Sequence, residues 1–144
     1  MKCGDIIFVK GTSLISKIIR LFDKGVYSHV AIAISDTMIL EAQYFTRSRI
    51  VENYHIDYDI VSIDRVGGNE ERIISLANSL VGKWYDYRQV IGYVLKKPWN
   101  NPNNMICSEL VAVLLYELGV NNTMDLEEFS MMTPNELYSY LTKK

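Results

Sequence analysis

HVAIAISDTMILEA, residues 29–42, reads as two short strands around a polar turn. Successive strand side chains point to opposite faces, so His29, Ala31 and Ala33 share one side and Val30, Ile32 and Ile34 the other. The bulky side needs a core. The alanine side is small enough for another element, such as a packed helix, to approach closely, and its one functional group is an imidazole. On the second strand Ile39, Glu41 and Gln43 share a face. A three-residue turn over Ser35-Asp36-Thr37 keeps parity and sets Glu41 opposite Ala31 and diagonal to His29, about 5–8 Å away. Asp36 tolerates the left-handed backbone that such loops need. A two-residue turn would send the carboxylate to the other face, with Gln43 as the replacement orienting group.

A second stretch, NMICSELVAVLLYELG (residues 104–119), is the most apolar in the chain and opens on a cysteine. Cys107 precedes Leu110, Val111, Leu114 and Leu118 at helical spacing, so it belongs to the inward stripe of a helix ending at Gly119. A free cysteine is by default a small buried hydrophobe. In the first helical turn, however, unpaired N–H groups and the helix dipole favour a thiolate. A neighbouring imidazolium would lower the thiol pKa further, to roughly 3.5–7.5. His29 can supply that base, and Glu41 can fix its tautomer and stabilise its charged form.

The remaining segments frame these two. Asp5–Val9 reads as a buried strand between Gly4 and Gly11, and SLISKIIRLFDKG (13–25) as a helix capped by Ser13. Ile50–Val66 offers one or two strands, the clearest at Ile60–Val66. NEERIISLANSLVG (69–82) carries a cap at Asn69, acidic residues in its first turn and a stop at Gly82. Tyr87–Lys97 reads as a helix stopped by Pro98, followed by a PWNNPNN loop. TPNELYSYL has Thr133 as cap, Pro134 at the first helical position and Glu136 three residues after the cap, a capping box. Strands in the first half and helices mostly in the second define an α+β class.

The 144 residues are read as one domain, residues 1–144, with a 49% hydrophobic composition that sustains a core. A net charge of −2 gives no pull toward nucleic acid. The longest apolar run, Leu110–Leu115, is too short to span a bilayer. MKCGDIIFVKG is no signal peptide, so the expected compartment is cytoplasmic, where two cysteines are free thiols rather than a disulfide framework.

Taken together, these segments resemble the circularly permuted papain-like cysteine amidases and peptidases of the NlpC type, above all the YiiX-like branch, which is kin to lecithin–retinol acyltransferase. GDIIFVKGTSLISKIIRLF resembles that branch's opening strand and helix, YSHVAIAI its histidine strand, MILEA the strand bearing a third polar residue, and NMICSELVAVLLYELG its nucleophile helix. The order is permuted: His29 and Glu41 come first and Cys107 last. VGKWYD is similar to the short motif upstream of the cysteine in the unpermuted relatives, whose tyrosine falls on Tyr85.

The resemblance implies an antiparallel sheet or small barrel packed on helices. It also implies a cysteine hydrolase with Cys107 as nucleophile, His29 as base and Glu41 as orienting group, cleaving an amide through a thioester. Tyr85 would either help bind the oxyanion or pack beside Trp84. Expected substrates are peptides, cell-wall fragments or lipid-linked amides, with no cofactor. Acyl transfer or thioester cleavage on lipid-like substrates uses the same triad, and an idle binding module on this scaffold is the third reading. His55 matches no motif and reads as a surface residue, Cys3 as structural and Glu109 as a first-turn dipole complement pointing away from the cysteine's face. A zinc site from Cys3, His29, His55 and Cys107 is set aside because no pair has metal-ligand spacing.

Overall fold

The computed structural model describes residues 1–10, 26–42, 47–63, 70–82, 107–120 and 132–143, with the backbone alone for Cys107 and Ser108. Its elements are β1 (Ile6–Val9), β2 (His29–Ala33), β3 (Met38–Glu41), β4 (Arg49–Glu52), β5 (Tyr58–Val61), α1 (Glu70–Leu80), α2 (Cys107–Glu117) and α3 (Pro134–Thr142). The strands form one antiparallel sheet in the order β4-β3-β2-β1-β5. This is the α+β class expected from the sequence. The expected helices at 13–25 and Tyr87–Lys97 and the 98–104 loop lie outside the described residues.

The hairpin turns as the parity argument requires. Ile32 pairs with Leu40 and Ala33 with Ile39, which leaves Ser35-Asp36-Thr37 as the connection. Ser35 shapes it, its hydroxyl accepting the N–H groups of Thr37 and Met38 at 3.2 and 2.9 Å. The strands after it differ from expectation. The Ile50–Val66 run forms β4 and β5 separated by residues 53–57, and the second strand is Tyr58–Val61, earlier than the expected Ile60–Val66. Pairing with β1 decides this, because Tyr58 lies opposite Val9 and Val61 opposite Ile6.

Residues 53–57 must carry the chain from one edge of the sheet to the other. From Glu52 to Tyr58 an extended chain reaches about 22 Å. On a flat sheet the same two positions would be roughly 25 Å apart, four strand spacings across and about five residues along. The sheet must therefore curl, bringing its edges together around a concave face. Residues 53–57 bridge that face, tied at one end by Asn53 N–H to Thr37 O (2.8 Å) and at the other by Lys10 N–H to Asp57 O (3.0 Å).

Two clusters of buried side chains follow from the pleat. Ile6, Phe8, Val30, Ile32 and Leu40 pack under Leu110, Val111, Leu114 and Leu115 of α2, Ile73 of α1 and Leu137 of α3. Ile7, Val9, Ala31, Ala33 and Ile39 form the second cluster, with Val51 and Tyr58 at its margin. The small alanine face is thus not where the cysteine helix packs; α2 lies on the Val30 and Ile32 side. The alanines instead line the concave side, among Ile7, Val9 and Ile39.

The helix ends obey their caps. Thr133 and Glu136 form the expected capping box, Glu136 N–H to Thr133 Oγ1 at 3.2 Å and Thr133 N–H to Glu136 Oε2 at 3.0 Å. Gly82 and Gly119, just past α1 and α2, take positive φ values of 95° and 76°, which L side chains resist. Among the described residues no helix is long and apolar enough to cross a membrane.

Ala31 is fully buried opposite Ile7. Enlarging it overfills the concave side, so Ala31→Leu is expected to destabilise the fold by about 1–3 kcal/mol. Urea unfolding measures this as a lower midpoint at constant slope; an unchanged midpoint would show that the curled face has spare room.

Candidate active site

At the rim of the concave face the chain gathers four polar side chains around one carboxylate. Glu41 closes β3 and is fully buried. Its register partner on β4 is Arg49, and continuing the β2–β3 register sets it opposite Ala31, diagonal to His29. That diagonal is short enough for contact: His29 Nε2 lies 3.0 Å from Glu41 Oε1. Across the sheet Arg49 donates to the other oxygen, Oε2, from Nε at 3.2 Å and Nη2 at 3.0 Å.

The edge-to-edge bridge supplies the remaining two. Tyr54 OH donates to Oε2 at 2.7 Å, and His55 Nε2 lies 2.8 Å from Oε1. The two imidazole rings face each other with centroids 5.1 Å apart. Both histidine side chains are only 7% exposed, so these bonds form away from water. His55 is therefore not the surface residue that its lack of a motif implies. Its signal in the sequence was the shortness of the link between two edge strands, which forces residues 53–57 across the face holding His29. Arg49 was legible only as the cross-strand partner of Glu41, once β4 is started one residue earlier.

Burial alone would raise the Glu41 carboxyl. The hydrogen bonds from His29 and His55, the field of the His29 ring and the Tyr54 hydroxyl outweigh it and hold the group well below its ordinary value of 4.5. Glu41 is a carboxylate at every physiological pH. Its pairing in turn raises the Arg49 guanidinium against the lowering effect of burial.

The entrance to β2 is fixed from far along the chain. Asn135, in the first turn of α3, accepts the Tyr27 N–H at 2.9 Å and donates to the Tyr27 carbonyl at 2.7 Å, acting as a short stand-in for a strand partner. Tyr27 is further held by rings of Phe8 and Tyr138 and by its hydroxyl on Asp59. Ser28 N–H then meets Val9 O at 3.0 Å, and His29 begins the strand with no slack.

Cys107 is the first residue of α2; its side chain and all of Tyr85 lie outside the described residues, as do Gln43 and the Asn69 cap. Glu109, two residues on, lies in the first turn of α2, as a dipole complement would, and is buried. Cys3 is a free, half-buried thiol, pushed up by burial and by the charges of Glu70 and Asp5.

A curled antiparallel sheet backed by helices, with a histidine at its rim and the cysteine helix after it in sequence, is the permuted form of the papain-like fold. Residues 1–139 match the family described as permuted papain-like amidase enzyme, YaeF/YiiX, C92 family, and the chain belongs to that family. No curated protein matches the chain.

Because the Glu41 pKa is depressed on folding, its contribution to stability is complete above the unfolded value and is lost as pH falls through the folded one. The stability difference between wild type and Glu41→Gln should accordingly be full above pH about 4.5 and shrink on further acidification. Urea unfolding of both proteins between pH about 6 and 3 measures it, and a difference independent of pH contradicts the charged, donor-saturated carboxylate.

Proposed function

We propose that the protein is a cysteine-nucleophile hydrolase that cleaves a peptide-like amide, with Cys107, His29 and Glu41 as its triad. The observation that carries this reading is the His29–Glu41 bond. It commits Nε2 of the ring to the carboxylate, and so makes Nδ1 the nitrogen that serves the thiol. The ends of the helices support the placing of the nucleophile. Arg72 in the first turn of α1 donates to the Glu117 carbonyl at the end of α2, at 2.6 Å. At the other end of α1, Ser48 Oγ donates to Leu80 O at 2.6 Å, beside Arg49. That polarity supports an α2 N-terminus, and hence Cys107, at the Glu41 end of the sheet.

The chemistry then runs as a proton account. His29 Nδ1 takes the Cys107 proton, and the resulting imidazolium is stabilised by the permanently charged Glu41. The thiolate adds to the amide carbon. The backbone N–H of Cys107, a first-turn donor without an intrahelical acceptor, donates to the developing oxyanion, with the Tyr85 hydroxyl as second donor. Collapse expels the amine, which leaves with the proton from His29, and a thioester remains. His29 next deprotonates water, hydroxide adds to the thioester, and the thiol is regenerated as the acid departs.

Two thiols in one chain provide an internal control. At pH about 6 an alkylating reagent should modify Cys107 far faster than Cys3, whose thiol is pushed up. Peptide mapping reads the two rates; equal, slow labelling would return Cys107 to the status of a core residue. His29→Ala should slow Cys107 labelling toward that of a free thiol and reduce amide turnover by about 10⁴-fold or more. Turnover retained in that variant would require another base.

A further inference from the structure

One buried group has no task in this chemistry. His29 needs a single oriented acceptor, and Glu41 already supplies it while held by Arg49 and Tyr54. His55 adds a second imidazole, aimed at the same carboxylate oxygen as the first. Two ring nitrogens and one carboxylate oxygen thus converge, all within 4.8 Å of one another and almost wholly out of water.

We propose that His29, Glu41 and His55 form a zinc site whose occupation switches the hydrolase off. Zinc favours imidazole and carboxylate donors in tetrahedral sets, with bonds of about 2.0–2.2 Å and therefore donors roughly 3.3–3.5 Å apart. The donor pairs His29–Glu41 and His55–Glu41 stand at 3.0 and 2.8 Å and need to open by a few tenths of an ångström, while the two ring nitrogens, within 4.8 Å of each other, are brought to the same spacing by rotation of the rings. The outer support of a metal carboxylate is in place: Oε2 is fixed by Arg49 and Tyr54 while Oε1 faces the two rings. Arg49 is a like charge for the ion, but it holds the far oxygen Oε2 and its side chain is 40% exposed, so solvent screens it. Zinc would replace the two Nε2–H protons, which leave to solvent, and water would fill the fourth position.

The inhibitory part rests on the proposed role of His29; the binding part does not. With Nε2 bonded to zinc, a neutral His29 carries its one ring proton on Nδ1. It then has no lone pair for the thiol of Cys107, and the nucleophile is not generated.

Zinc titration of the whole chain by calorimetry, with thermal unfolding in parallel, tests the site without reference to activity. Expected are one zinc per chain and a raised Tm, both retained in Cys107→Ser and Cys3→Ser. His55→Ala and His55→Gln should each weaken zinc by about tenfold or more and abolish the rise in Tm, while unfolding cooperatively without metal. Cobalt(II) in place of zinc should give a tetrahedral visible spectrum with no thiolate charge-transfer band. The site is overturned by zinc that fails to saturate, by affinity indifferent to both His55 variants, or by binding lost in Cys107→Ser, which would place the ion on the thiolate. Zinc that binds as expected but leaves amide turnover untouched overturns the switch. A chain that binds zinc through His55 yet cleaves no amide would refute the hydrolase reading alone.

Discussion

A single carboxylate, fully withdrawn from water, ties three separate parts of the chain together. Glu41 sits at the end of β3, and its two oxygens receive His29 from β2, Arg49 from β4, and Tyr54 and His55 from the bridge between the sheet's edges. A buried charge is costly unless it is fully paired, and taking away one partner leaves the remainder of that cost exposed. The four donors therefore oblige one another. The curl of the sheet, the path of residues 53–57 and the register of the hairpin are all conditions for satisfying the same two atoms.

The core meets that obligation from the other side. Large side chains of Ile6, Phe8, Ile32 and Leu40 pack under the helices, and the concave face carries a smaller cluster of Ile7, Val9, Ala31, Ala33 and Ile39 with the polar groups at its rim. This division keeps the larger apolar core under the helices apart from the polar groups gathered on Glu41. α2 packs on the Val30 and Ile32 side of the sheet, away from the face that holds His29 and Glu41.

Much of this was written locally. The odd turn at Ser35-Asp36-Thr37 fixed the parity of His29 and Glu41, because a strand repeats every two residues and a slip by one reverses the face. Thr133, Pro134 and Glu136 specified the start of α3 by short-range hydrogen bonds alone. What the chain did not disclose locally was the curvature. It is set by the length of residues 53–57 together with a strand order that pairs β5 with β1, and neither is visible in a window of ten residues. For that reason local pattern alone makes the alanine face a seat for a helix, starts β5 too late, and leaves on the surface His55, which only the bridge brings inward.

The clamp on Tyr27 has a consequence for how the protein is made. Asn135 and Tyr27 are 108 residues apart, and translation at about 5–20 residues per second separates their emergence by roughly 5–20 s. During that interval the start of β2 lacks the side-chain amide that replaces a neighbouring strand, and His29 has no fixed anchor behind it. Local contacts such as the hairpin can form early, whereas the geometry around the histidine waits for α3. A nascent chain of this kind can hold a paired hairpin before the entrance to β2 is clamped, so the surroundings of His29 are completed only after α3 has emerged.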